Sequence, residues 1–376
     1  MDTKIYNILN LLEENNYECY IVGGYVRDAI MNKKSYDIDI CTTASVKELS
    51  GLLKGRINNA MYGAFKMNIP PYNIDITTYR VEFSYNKRHP TITYTDDINC
   101  DIKRRDFTIN AILMDKNGNI KDLLGGLEDI RNKKIRAIGN PNEKFIEDPL
   151  RMLRALRFYA TLNFSIEKET LNALKKNKEL LSTLSKTRIK SELDKILLSP
   201  NVVKSLDYLK KLGILKILNI KYKKLKKVDD LCGMYAQLEV PSDYPFTKKE
   251  QNNIKTIQKI LKYGKIDNTV IYNYGLYYAM TSGLIKGIDR KVIAQKEKDI
   301  PIHNRKEIDI TYEEVINLGI SKNKLNKVYS DLEKQILLRK LRNDKVILTN
   351  YITKNKKRWC NDAKLKWDIK SSQSYY

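Results

Sequence analysis

The chain has 376 residues, with 69 Lys and Arg against 45 Asp and Glu, a formal net charge of +24. Hydrophobic residues make up 42% and charged residues 30%, the balance of a folded chain whose length suits two or three domains. Two histidines and five scattered cysteines, never in a CxxC pair, exclude a multi-histidine metal site, a zinc ribbon and a disulfide scaffold. No apolar run approaches the roughly 20 residues of a membrane span. Glu13 and Glu14 stand where a signal peptide would be apolar. A cytoplasmic protein without a membrane partner is expected. No GxxxxGK[ST] loop occurs, which removes the commonest ATPase signature.

In chain order, the first 20 residues carry an amphipathic helical pattern, and strand-like runs follow at Tyr17–Val22, Tyr36–Cys41, Phe65–Ile69, Asn73–Tyr79 and Thr108–Met114. A helical pattern covers Val26–Met31. From Leu150 the spacing is almost wholly helical, as in Leu150–Leu162, Glu192–Leu198 and Val202–Leu218. Charge divides along the same line. Residues 1–150 hold 21 basic and 21 acidic residues, so the whole excess lies in residues 151–376, with 48 against 24. A neutral α/β front and a basic helical rear suggest that the rear holds a polyanion, nucleic acid above all. Lys clusters such as Lys221–Lys227 are by themselves expected on solvated helix faces.

Two elements in the front carry chemistry. Tyr20-Ile-Val-Gly23-Gly24-Tyr-Val-Arg27-Asp28 reads as strand, tight turn and helix, where paired glycines admit a ligand and backbone N–H groups suit phosphate. Arg27 in the first helical turn opposes the macrodipole, a conflict that a triphosphate would answer. In Asp37-Ile38-Asp39-Ile40, strand alternation puts both carboxylates on one face and both isoleucines in the core. Two repelling carboxylates suit a hard divalent cation, and Mg²⁺, which takes carboxylates plus substrate phosphate oxygens, is the natural one. Asp75 is either a third carboxylate from a nearby strand or a surface residue.

Gly23-Gly24-x-Val-Arg27-Asp28 followed by Asp37-x-Asp39 resembles the opening motif of class II tRNA nucleotidyltransferases, the CCA-adding enzymes of the polymerase-β-like superfamily. Further motifs follow in order. Arg104-Arg105-Asp106-Phe107-Thr108-Ile109-Asn110-Ala111 resembles the family's sugar-binding motif, and Asp122-Leu-Leu-Gly125-Gly126-Leu-Glu-Asp129 its hinge. Glu147-Asp148-Pro-Leu-Arg151-Met-Leu-Arg154 resembles the nucleotide-selecting motif, and Ser185-Lys-Thr-Arg188-Ile-Lys-Ser-Glu192-Leu193 the neck-stabilising element.

The resemblance implies an α/β catalytic head with a mixed sheet, residues 1–138, a helical neck at 139–198, a helical body at 199–285 and a helical, tRNA-binding tail at 286–376. It implies Asp37 and Asp39 as Mg²⁺ ligands, Gly24 and Arg27 as triphosphate contacts, and Arg105 and Asp106 facing the ribose with Asn110 in support. Asp148, Arg151, Arg154 and Arg157 would hold the incoming base and phosphates. The implied reaction is template-independent addition of C, C and A from CTP and ATP to the tRNA 3′ end, with release of pyrophosphate. Gly319 resembles a turn of the tail near the tRNA elbow. No obligate protein partner is evident.

At spacing i, i+3 Asp148 and Arg151 would share one helix face, with Arg154 and Arg157 continuing the stripe. C and A both present an amine donor beside a ring-nitrogen acceptor, which a carboxylate and a guanidinium match; U and G present the reverse. Asp148-Pro149 is equally a good helix cap followed by proline at the first helical position. Three other activities remain. Poly(A) polymerases typically carry a basic pair before a phenylalanine that Tyr62-Gly63-Ala64-Phe65-Lys66 lacks. CC-only enzymes shorten a loop that is nearly full length here, Tyr79 to Pro90. A non-catalytic RNA-binding relative would have no need of Asp37 and Asp39. Relatives with a His-Asp phosphohydrolase domain are excluded by the two histidines.

Overall fold

The structure is a computed structural model that describes residues 2–86 and 89–360, with only the backbone described at 84–86, 89 and 360. Lys87, Arg88 and residues 361–376, which include part of the expected loop and tail, lie outside the described residues. Two compact units result, Met1–Lys221 with Val240–Pro245, and Tyr222–Glu239 with Phe246–Tyr376. The expected head and neck fall in the first unit and the expected tail in the second, while the expected body is shared between them.

The first unit is built on a sheet of seven strands: β1 (Cys19–Val22), β2 (Asp37–Thr42), β3 (Arg56–Asn59), β4 (Ala64–Ile69), β5 (Tyr72–Thr78) and two short strands further along the chain. Between β5 and those lie β6 (Arg80–Asn86) and β7 (His89–Tyr94), which form a separate antiparallel hairpin; β8 (Leu113–Met114) and β9 (Ile120–Lys121) complete the sheet, in the order β3-β4-β5-β2-β1-β8-β9. β2 pairs parallel with β5, and the other pairings are antiparallel, so the sheet is mixed. Alternation decides its two faces. Ile38, Ile40, Phe65, Ile74 and Ile76 are buried, whereas Asp37 and Asp39 on the opposite face are exposed. Val22, Cys41, Tyr79, Ile98, Ile102 and Leu113 form a compact cluster within this unit.

Helices α1 (Thr3–Glu14), α2 (Gly24–Ile30), α3 (Val46–Leu52), α4 (Ile98–Lys103) and α5 (Gly126–Arg131) accompany the sheet. They are followed by α6 (Pro141–Glu147), α7 (Leu150–Leu162), α8 (Lys168–Asn177) and α9 (Lys186–Leu197). α7 packs closely on α9, burying Met152, Leu153, Leu156, Ile189, Leu193 and Ile196. Its apolar residues recur every three or four positions, as the sequence pattern requires.

Some expectations are corrected. Thr108–Met114 is not one strand: Thr108–Asn110 forms a 3₁₀ turn and only Leu113–Met114 is extended, because the segment's hydrophobicity reports burial, not β structure. The run Val202–Leu218 breaks into Val202–Lys211 and Ile214–Ile217 at Gly213, whose φ of 78° is left-handed. Lys221–Lys227 is not helical.

The second unit is helical, with its longest helices at Lys248–Tyr263 and Lys345–Cys360. Its core gathers Ile260, Ile293, Ile302, Val315, Leu332, Leu348 and Ile352. Gly319 closes the helix Tyr312–Asn317 at φ 81°. No helix of the described residues is long and apolar enough to cross a membrane.

Candidate active site

A cleft of about 600 Å³ in the first unit is lined by Gly23, Gly24, Arg27, Asp37, Asp39, Arg105, Asp106, Asn110, Asp148, Arg151, Arg154 and Arg157. Residues separated by up to 134 positions thus meet in one place, and of the expected site residues only Asp75 lies outside that lining. Glu82, Arg104, Leu150, Phe158 and Lys195 complete the lining.

The floor comes from β2 and the turn after β1. Val22 stands opposite Asp39 in the β1–β2 register, so the chain leaves β1 directly beside the carboxylate. A Cβ at Gly23, where φ is 83°, would lie 2.7 Å from Asp39 Oδ2, so only glycine lets the turn pass. Asn73 donates to Asp37 Oδ1 at 3.1 Å. Desolvation raises the Asp39 carboxyl above its ordinary value; Asp75 and Asp37 add to this, while Arg105 and Arg154 oppose it. The donor set is carboxylate oxygen without His or Cys, which fits a hard cation held by two protein carboxylates and completed by substrate oxygens. Among the described residues no group of three or more ligating side chains gathers around one point. Asp75 does lie directly opposite Asp39 on β5, but its carboxylate pairs with Lys66 at 3.0 Å.

One wall is a hydrogen-bonded chain linking α2 to α7. Arg27 donates to Asn110 Oδ1 at 2.7 Å, Asn110 donates to Asp106 Oδ1 at 3.3 Å, and Arg154 donates to Asp106 Oδ2 at 2.6 Å. Burial would raise the Asp106 carboxyl, but Arg154, Asn110 and the Phe107 N–H outweigh it and hold it low. Both Asp106 oxygens accept from protein partners, which hold the carboxylate in place. Arg27 also pairs with Asp28 at 2.7 Å. Since α2 has only seven residues and Arg27 lies near its middle, the macrodipole conflict expected from the sequence does not arise. Arg105 pairs with Asp101 at 2.9 Å, and its buried Nε has no hydrogen-bond partner among the described residues.

The opposite wall departs further from expectation. Asp148 is not on a helix face with Arg151. It lies between α6 and α7 in extended backbone, φ −142° and ψ 100°, and accepts the Leu150 N–H at 3.1 Å. Proline at 149 prevents α6 from running on through this junction. Asp148 is also held by Arg188 of α9 at 2.9 and 3.0 Å. Arg151 is buried and donates to Glu147 Oε2 at 2.6 Å and to the carbonyls of Lys144 and Arg104 at 3.0 and 3.3 Å. Arg157 pairs with buried Glu192 of α9 at 2.6 Å.

Sequence reasoning missed Phe158. This buried ring meets Phe107 edge-on at 5.7 Å, and the guanidiniums of Arg27, Arg154 and Arg157 lie 5.3, 5.9 and 4.0 Å from its centroid. Cation–π attraction thus helps keep three cations together. Its place one residue after the Arg stripe was the available signal.

The chain is similar to known proteins over most of its length. The Poly A polymerase head domain family matches residues 19–136, and the family described as a probable RNA and SrmB-binding site of polymerase A matches residues 163–222. A CCA-adding enzyme of Ligilactobacillus salivarius is 32% identical over 382 residues, covering 92% of this chain and 94% of that one. That of Lactobacillus helveticus is 40% identical over 201 residues, 53% of this chain and 50% of its own. Among solved structures, the Bacillus stearothermophilus CCA-adding enzyme in complex with CTP superposes with a TM-score of 0.77 at 22% identity, covering 95% of this chain and 98% of that one. The Thermotoga maritima CCA-adding enzyme complexed with tRNA gives 0.70 at 23%, with 94% and 96% covered.

Proposed function

Because the chain belongs to the CCA-adding enzymes, a family of RNA nucleotidyltransferases, we propose that it adds C, C and A from CTP and ATP to the 3′ end of tRNA, with the cleft between β2 and α7 as its active site. The observation that carries this reading is the meeting of Asp37 and Asp39 with Arg27, Arg105, Arg154, Asp148 and Arg151 in one cleft. Its volume lies in the range of small-molecule sites and suits one nucleotide.

Within that reading Asp37 and Asp39 hold Mg²⁺, which when bound stabilises the attacking 3′ oxygen and the leaving pyrophosphate. Gly24 and Arg27 receive the triphosphate, and the chain Arg27–Asn110–Asp106–Arg154 fixes that receptor against α7. Arg105 lines the cleft, in keeping with a ribose contact. Asp106 acts through its neighbours as a positioning residue.

Asp148 and Arg151 choose the base. A carboxylate has about four acceptor sites; Asp148 uses its own for Arg188 and the Leu150 N–H and keeps capacity for the exocyclic amine of C or A. The Arg188 contact holds the carboxylate in one orientation. Offering U or G leaves the carboxylate facing an acceptor and the guanidinium facing a donor, at roughly 1–3 kcal/mol per group.

Incubation with tRNA lacking its three terminal nucleotides, CTP, ATP and Mg²⁺, followed by product sequencing, tests the proposal. Addition of C, C and a single A is expected. A long A tail assigns poly(A) polymerase activity instead, C alone a CC-only enzyme, and no incorporation a binding protein.

A further inference from the structure

A second groove, of about 610 Å³, opens beside the cleft and shares Asp37 with it. Its lining includes Asp75, Asn73, Lys66, Lys54 and Arg56. The strand registers explain its composition. Asp39 stands opposite Asp75, Asp75 opposite Lys66, and Lys66 opposite Arg56, so these four residues form one row across β2, β5, β4 and β3 on one face of the sheet. At about 4.8 Å per strand, Lys66 lies roughly 10 Å and Arg56 roughly 14 Å from the Asp39 position.

One feature of this row is unfavourable on its own. Arg56 and Lys66 are like charges directly opposite each other, which destabilises a sheet. Only Lys66 is compensated, by Asp75; exposed Lys54 and Arg56 have no ion-pair partner among the described residues. The backbone between Lys54 and Arg56 packs closely on β4. A Cβ at Gly55, between them, would come 2.6 Å from the Lys66 carbonyl and 2.5 Å from the Phe65 ring, so no larger residue fits.

We propose that this groove is the track of the acceptor strand: the last single-stranded nucleotides of the RNA lie along β3 and β4, with Lys54 and Arg56 on their phosphates and the 3′ hydroxyl delivered to the Asp37–Asp39 edge. The inference rests on the proposed nucleotidyl transfer and adds the location of the second substrate. Geometry favours the strand over the nucleotide as occupant. In-line displacement needs the attacking and leaving oxygens on opposite sides of phosphorus. The triphosphate receptor Arg27 and Arg154 lines the cleft on one side of Asp37, so the attacking oxygen must arrive from the other. Lys66, tied to Asp75, acts as a positioning residue at the junction.

The full-length enzyme carrying Lys54→Ala and Arg56→Ala tests this by steady-state kinetics with tRNA lacking its terminal CCA. The KM for tRNA at saturating CTP is expected to rise about tenfold at 0.15 M salt, with the KM for CTP within about twofold of wild type. The slope of log KM for tRNA against log salt should flatten by roughly 0.7 for each phosphate that the variant no longer neutralises. The charge-conserving pair Lys54→Arg and Arg56→Lys should restore both. A 4-thiouridine two nucleotides from the RNA 3′ end should photo-crosslink to residues 54–68 of the wild-type chain. An unchanged tRNA KM and salt slope, or an increase confined to the KM for CTP, overturns the assignment; the latter outcome gives the groove to the triphosphate or pyrophosphate. If the wild-type chain transfers no nucleotide, the proposed function fails, and the crosslink alone still decides where the strand lies.

Discussion

Asp39→Asn is expected to reduce nucleotide incorporation at least about a thousandfold while leaving affinity for tRNA within about twofold of wild type. The substitution keeps shape and removes charge, so loss of fold does not account for loss of activity. The expectation for stability is the reverse of that for activity. Desolvation, with Asp75 and Asp37 nearby, raises the Asp39 carboxyl above its unfolded value. Its ionised form is therefore disfavoured in the folded state: stability is fully present below the ordinary carboxylate range and is lost as pH rises through the raised value. At neutral pH the asparagine variant should unfold at an equal or slightly higher urea concentration, and the difference should vanish in acid. A variant that loses activity and stability together would assign Asp39 to the fold.

Glu192→Ala is expected to destabilise the first unit strongly. Glu192 is buried in α9 and accepts from Arg157 at 2.6 Å, and Arg157 is itself largely enclosed. Removing the carboxylate leaves a guanidinium buried without its partner, which costs about 3–5 kcal/mol. The result should be a lowered urea midpoint and a Tm reduced by roughly 10 °C. Catalysis should suffer as well, because Arg157 stands 4.0 Å from the centroid of Phe158, the ring around which Arg27 and Arg154 gather. Glu192→Gln, which still accepts a hydrogen bond, should lose much less. Equal stability of the alanine variant and wild type would show that solvent reaches Arg157 readily.

The front of the chain was the more legible part. Strand alternation alone placed Asp37 and Asp39 together on the open face and Ile38 and Ile40 beneath; the paired glycines read as room for a ligand, whereas Gly23 is also required by the nearness of Asp39. Leu150–Leu162 was legible for a similar reason, its period matching the helix residue for residue. The misses share a physical cause. Arg56–Asn59 is exposed throughout and carries no alternation, so nothing in its hydrophobicity marks an edge strand. The β6–β7 hairpin starts on Arg80 and Glu82, which are held by their ion pair and by Arg104, a residue distant in sequence. Partners of the Arg stripe were unreadable for the same reason. Spacing made Asp148 and Arg151 neighbours on one helix, whereas Pro149 puts Asp148 outside it, and the side chain closing on Asp148 is Arg188, 40 residues away.

The most direct test concerns who reads the base. Relative kcat/KM for CTP and UTP should be measured on tRNA lacking CCA, for wild type and for Asp148→Asn. Asparagine still accepts the Leu150 N–H but exchanges one acceptor for a donor, the arrangement that U requires. If amino-acid side chains serve as the template, the preference for C over U falls about tenfold to a hundredfold in the variant. A variant that is slower with both nucleotides, yet keeps the wild-type ratio, would contradict base selection by Asp148.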